Sequence, residues 1–424
     1  MNGFEEKDGL LCADDVPLNK IAAQAGTPTY VYSAAVIETQ FNALKGAMEK
    51  ALPAGRQPLI CYACKANSNL ALLDRLRALG SGMEIVSLGE LQRGLRAGFN
   101  PQKIVSTGVG KQKSEIAAYL KAGIHQFNVE SLPELEAINS VAAQMNLQTP
   151  APVALRINPN VAAGGHHKIS TGRKRDKFGI GIDRIDEIYA AAEAMPHVAP
   201  VGLHMHIGSQ ISQVEAFKTA FEKLPGVVQA LRRKGHSVTR LDIGGGFPIV
   251  YKDETLLDLD AYASWVNDII VPLDTEIIME PGRYLVGNAG VLLTEVLYVK
   301  ETDDRTFLIV DAAMNDLIRP TLYEAWHGIE PVANRQAAPK TYDVVGPVCE
   351  TGDTFATARD LPEMKAGDLA VVKSAGAYGM SMASNYNTRG LPAEVMAKDG
   401  SFKIVRKRQS VEEIIDQDIV PAWD

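Results

Sequence analysis

Cysteine is scarce: the chain has four in 424 residues, Cys12, Cys61, Cys64 and Cys349, at irregular spacings. So few thiols in so long a protein exclude a disulfide framework, and all four read as thiols. Blocks of one charge are missing as well. The 43 Lys and Arg residues against 51 Asp and Glu give a net charge of −8 that is spread along the chain. This leaves no electrostatic footprint for nucleic acid or for an anionic membrane surface, and a small molecule becomes the expected partner. Long apolar runs are also absent. Even Val291–Val299 is interrupted by Thr294 and Glu295, well short of the ~18 residues a membrane span requires. Met1–Leu11 carries Glu5, Glu6 and Asp8 where a secretory signal would have a basic start and an apolar stretch, so the expected location is the cytoplasm.

What is present is the balance of an ordinary globular protein, 46% hydrophobic and 22% charged residues. The length exceeds what one core usually supports, which predicts two domains. From about Tyr30 to Arg283, short apolar runs such as Leu59–Tyr62, Met83–Val86, Val153–Ile157 and Glu276–Met279 alternate with amphipathic stretches such as Leu70–Leu79, Leu88–Ala97 and Phe217–Lys234. About eight such repeats predict an α/β protein built on a (β/α)8 TIM-type barrel over 30–285. An open doubly wound sheet tolerates the same rhythm. Beyond Arg283 the pattern is strand after strand, which predicts a C-terminal β domain over 286–424. The N-terminal segment 1–29 is expected to join it, because the strand-like Thr29–Tyr32 precedes the first barrel repeat.

Several strand ends carry residues suited to chemistry. Lys65, in Tyr62–Asn67, follows the first strong strand, where a barrel displays its functional face. A buried lysine there is poised to be neutral and to form a Schiff base; the plainer reading is a side chain that snorkels to solvent. Gly244, Gly245 and Gly246 lie after a late strand and let backbone N–H groups close on a phosphate, although three glycines also make a flexible turn. His204 and His206 alternate on one strand face. Zinc would need a third ligand that the local sequence lacks, so no metal is expected; a ring-stacking or proton-handling histidine fits better, with Ser209 adding a phosphate contact. Glu280, Gly282 and Arg283 close the last barrel strand with an acid near a guanidinium. They form either a structural ion pair or a carboxylate for a cofactor's pyridine nitrogen. In the β region Cys349 and Glu350 sit in the glycine-bounded turn Gly346–Asp353, where the thiol is a small buried hydrophobe or a proton donor. Tyr378 stands in a loop of small residues and serves either packing or a ligand contact.

Together with the stretch Asn315–His327, these segments in this order resemble the fold-type III decarboxylases that depend on pyridoxal 5'-phosphate (PLP). The resemblance runs from Tyr30 to about Met396 and points to meso-diaminopimelate as substrate and L-lysine as product. It implies that Lys65 bonds covalently to PLP, His206 lies over its ring, Ser209 and Gly244–Gly246 hold its phosphate, and Glu280 faces the pyridine nitrogen. Gly282 and Arg283 would complete the cofactor site. Arg283, Arg319 and Tyr323 would take the substrate's distal carboxylate, Glu350 its distal ammonium, and Tyr378 would touch both cofactor and substrate. Cys349 would supply a proton from the second subunit of a homodimer with shared sites. A loop matched by His167–Gly172 through Lys177–Gly179 would lie over the site. The chain departs from the family pattern at Glu84, where an aspartate is usual, in the following Ser87–Glu90, and at the pair His166–His167.

Ornithine, arginine or carboxynorspermidine are the alternative substrates on this fold. They lack a distal amino-acid centre, so arginines facing that end would be left as buried unpaired cations. A non-catalytic PLP-binding regulator could dispense with the β domain and its Cys-Glu turn; this chain has both.

Overall fold

The computed structural model describes residues 3–161, 177–211, 213–334 and 337–423. The chain divides into two compact units. One comprises Gln40–Ile249 and Thr255–Leu285; the other comprises Met1–Thr39, Val250–Glu254 and Val286–Asp424.

The first unit is a closed barrel of eight parallel strands: Leu59–Ala63, Gly82–Ile85, Ile104–Ser106, Gln126–Val129, Ala151–Asn158, Val198–His204, Arg240–Asp242 and Glu276–Met279. Closure comes from the last strand pairing with the first, Ile278 opposite Leu59 and Met279 opposite Ile60. That pairing excludes the open sheet. Cys61, Val105 and Ile278 fill part of the interior. Helices follow the strands, and their starts are fixed by short polar side chains. Asn69 accepts from the Ala71 N–H, Ser87 from Glu90 and Ser131 from Glu134. These caps hold the segments after the strands, and those segments carry the candidate chemistry. The single helix expected over Phe217–Lys234 is two, Glu215–Phe221 and Leu224–Arg233, because Pro225 can begin a helix but cannot continue one.

The second unit is a nine-stranded sheet. Its main path runs Thr354–Pro362, Pro339–Val345, Thr306–Val310, Gly290–Glu301, Thr29–Ser33, Ala393–Lys398 and Ser401–Arg406; Leu369–Val372 and Ile329–Pro331 branch from Gly290–Glu301. The N-terminal strand Thr29–Ser33 thus lies in the middle, antiparallel to Gly290–Leu293 and parallel to Ala393–Ala397. Tyr30, Tyr32, Leu292, Leu308 and Val310 are core residues here. Both buried phenols are satisfied, Tyr30 donating to the Asp316 carbonyl at 2.6 Å and Tyr32 to Glu394 at 2.7 Å. Among the described residues no helix is long and apolar enough to cross a membrane.

Candidate active site

The C-terminal rim of the barrel gathers polar residues from seven strands or the residues just after them. Lys65 sits in a single helical turn, Cys64–Ala66, just past the first strand, and its ammonium meets both oxygens of Glu84 at 2.9 and 3.0 Å. Glu84 is fully buried while the lysine side chain is 37% exposed, so the amine is reachable from outside. After the neighbouring strand, Glu276–Met279, Glu280 is held by three side chains from other strands or the loops after them. Thr107 and Asn128 each donate to Oε1 at 3.1 Å, and His204 Nε2 lies 3.2 Å from Oε2. Asn128 also donates to Asp242 at 2.9 Å.

These contacts assign charge. Burial alone would push the Glu280 carboxyl up, but His204, through its charge and hydrogen bond, and Lys65 outweigh it and hold Glu280 well below the usual carboxylate range. Asp242 moves the other way: burial and the neighbouring Glu280 raise it well above that range, so one proton stays with the pair. His204, Asp242 and Glu280 bring three possible ligand atoms within 4.8 Å of one another, a grouping that sequence spacing did not suggest. The Asn128 amide donates to both carboxyl groups and so bridges them as a fixed polar support.

His206 follows on the same rim. Its Nδ1 accepts from the Gly245 N–H at 3.2 Å, which leaves the proton of a neutral ring on Nε2. Burial, Arg156 and Lys65 hold the imidazole well below the ordinary histidine range, so it is neutral. The glycines beneath are required by space. A Cβ at Gly245 would stand 2.0 Å from the Glu280 carbonyl, and one at Gly244 would stand 2.4 Å from that of Met205. Gly244 N–H is committed to Asp242 at 3.0 Å and Gly245 N–H to His206, so these two glycines act as a tightly packed floor. Beside it Arg283 donates to the Ser209 hydroxyl at 3.1 Å. Arg156 and Glu130, which the sequence reading did not single out, form a buried pair at 2.6 Å. Phe178 stacks 4.8 Å from that guanidinium, and Gly179 N–H donates to Glu130 at 2.9 Å. The pair His166–His167 and residues 167–176 of the expected covering loop lie outside the described residues.

The other candidates belong to the second unit. Arg319 is buried and opens a short helix that ends at the half-buried Tyr323. Cys349 and Glu350 are both exposed, in a turn anchored by Asp353, which accepts from Met314 at 2.6 Å and Val348 at 2.7 Å. Exposure removes the reading of Cys349 as a buried hydrophobe. Tyr378 has φ +56, a left-handed conformation that a bulky residue rarely adopts without compensation, and such strain concentrates at functional sites.

A barrel whose rim joins a reachable amine, a carboxylate held anionic and a glycine floor defines a class. The sequence model described as "Pyridoxal-dependent decarboxylase, pyridoxal binding domain" matches residues 35–287, and the chain belongs to that family. Two relatives narrow it. The diaminopimelate decarboxylase of Pseudomonas aeruginosa is 48% identical over 98% of both chains, and that of Vibrio cholerae is 46% identical over 96% of both. Within the family, then, the chain belongs with the diaminopimelate decarboxylases. Among solved structures, the M. jannaschii diaminopimelate decarboxylase in complex with L-lysine superposes with a TM-score of 0.93 at 36% identity, covering 99% of this chain and 98% of the other. A lysine/ornithine decarboxylase from Vibrio vulnificus, at 22% identity over 90% of this chain and 97% of its own, shares the fold with a TM-score of 0.78.

Proposed function

We propose that this protein removes CO2 from meso-2,6-diaminopimelate to give L-lysine, with PLP as cofactor. The observation that carries the chemistry is the presence, on one barrel rim, of the Lys65 amine and of a Glu280 carboxylate that His204 and Lys65 keep anionic and that Thr107 and Asn128 hold by hydrogen bonds. The substrate follows from near-full-length relatives named for diaminopimelate.

The rim suits the cofactor on grounds independent of any name. Lys65 would bind it covalently, Ser209 with Gly244, Gly245 and Gly246 would hold its phosphate on a floor that no Cβ can enter, and Gly282 and Arg283 would border it. When bound, PLP supplies the ring that accepts the electron pair left by the departing CO2. The chain's own residues set the terms. Glu280, as an anion, would keep a proton on the pyridine nitrogen; the neutral His206 ring would pack on the face of the cofactor without adding charge. Arg283, Arg319 and Tyr323 would bind the distal carboxylate of the substrate, Glu350 its distal ammonium, and Tyr378 would reach both molecules. Cys349, exposed on its turn, would donate the proton that replaces CO2, acting in the partner subunit of a homodimer in the cytoplasm.

Purified protein loaded with PLP should release CO2 and form lysine from meso-diaminopimelate, with far slower release from ornithine, arginine or carboxynorspermidine. Faster turnover of one of the latter would replace the substrate assigned here. PLP binding without CO2 release from any of them would favour a regulator.

A further inference from the structure

The segment that carries Arg319 ends on a histidine that the proposed chemistry does not use. His327 is completely buried, and both its ring nitrogens face groups whose hydrogen-bonding roles are fixed. Nδ1 lies 2.7 Å from the backbone carbonyl of Lys373, which can only accept. Nε2 lies 2.9 Å from Nη1 of Arg319, which can only donate. One form of imidazole satisfies both: neutral, with its hydrogen on Nδ1 and its lone pair on Nε2 directed at the guanidinium.

The ring is anchored on more than one side. Lys373 N–H donates to the Gly328 carbonyl at 2.8 Å, extending the antiparallel pairing of Ile329 with Val372, and Arg359 donates to the His327 carbonyl at 2.9 Å. Tyr251, from the short segment Val250–Glu254, meets the imidazole edge-on with ring centroids 5.2 Å apart. It presents its own face to Arg319, whose guanidinium carbon stands 4.6 Å from the phenol centroid. Arg319 is thereby pinned in position and in plane. A carboxylate at the place of His327 would fix the guanidinium equally well but would cancel its charge. An imidazole acceptor orients the cation without itself neutralising it.

We infer that His327 is a positioning residue for substrate selection, a neutral acceptor that sets the Arg319 guanidinium in the plane needed to grip the distal carboxylate of the substrate. This rests on the proposed role of Arg319.

Two amide substitutions separate positioning from folding. In His327→Asn the short side chain can still donate to the Lys373 carbonyl but falls short of Arg319. In His327→Gln the longer side chain places its carbonyl oxygen near the lost Nε2. With PLP-loaded enzyme, His327→Asn should raise KM for meso-diaminopimelate roughly tenfold, the loss of one hydrogen bond to a charged group, with kcat and PLP affinity changed much less. His327→Gln should stay within about threefold of the wild type, and Asn added to Arg319→Ala should cost nothing further, because the group it positions is gone. If Arg319→Ala raises KM and His327→Asn does not, or if Gln and Asn raise it equally, the positioning role is wrong and the substrate assignment stands. If Arg319→Ala itself leaves KM unchanged, the role of Arg319 falls and this inference falls with it.

Discussion

Lys65 and Glu84 meet on the rim as a salt bridge with one member buried, and the lysine is the group the proposed chemistry needs. Lys65→Ala should leave no protein-bound cofactor after borohydride reduction and almost no turnover, read by mass spectrometry of the peptide that spans residue 65. A cofactor adduct at another lysine together with normal turnover would overturn the assignment. Glu90 lies in the first turn of the following helix, Leu88–Arg96, and accepts from the Val86 N–H at 2.7 Å. Burial, reinforced by the charge of Glu84, pushes its carboxyl up from an ordinary 4.5 to about 7. Between those two values the folded chain holds a proton that the unfolded chain has released, so stability falls as pH rises through the window, and above about 7 the loss is complete. Glu90→Gln keeps an oxygen for Val86 and has nothing to titrate. Its melting temperature relative to the wild type should therefore improve from pH 5 to pH 8; an unchanged difference would show that Glu90 does not titrate there.

At the scale of elements, each barrel strand ends where a polar residue begins, and the glycine floor fits the rim together. Gly245→Ala would place a methyl group 2.0 Å from the Glu280 carbonyl, and relieving that clash means moving the end of the last strand. A loss of roughly 1–3 kcal/mol in urea unfolding is expected, with weaker PLP binding in titration, since overpacking a closed contact distorts both partners. The strand and helix rhythm of the barrel was legible in the sequence because each strand is an apolar run bounded by turn residues. Closure was expected from the count of about eight repeats, and the pairing of Ile278 with Leu59, which leaves no local mark in the sequence, supplies it. The supports of Glu280 were hidden. Thr107 lies 173 residues from it and Asn128 lies 152, each an unremarked polar residue at the end of its own strand. The strand Thr354–Pro362 carries no clear alternation in sequence, because threonines and charged residues interrupt it.

At the scale of the molecule, Lys65 and Cys349 lie in different compact units, and Cys349 is exposed on its own. In a C2 dimer that shares its sites, mixing inactive Lys65→Ala and Cys349→Ala subunits should restore about a quarter of wild-type activity, because half the dimers are mixed and each has one intact site. No recovery after verified subunit exchange would mean that Cys349 serves its own chain. The division of the chain carries a further consequence. Val250–Glu254 is flanked on both sides by barrel sequence yet belongs to the sheet unit, and it brings Tyr251 against Arg319 and His327. Recombination between diverged homologues at the barrel–sheet junction would draw Tyr251 from one parent and the arginine and histidine from the other. In inheritance, then, the two units are not separable cassettes, and chimeras crossed over near residue 285 should suffer mismatches at the arginine even where every strand is intact.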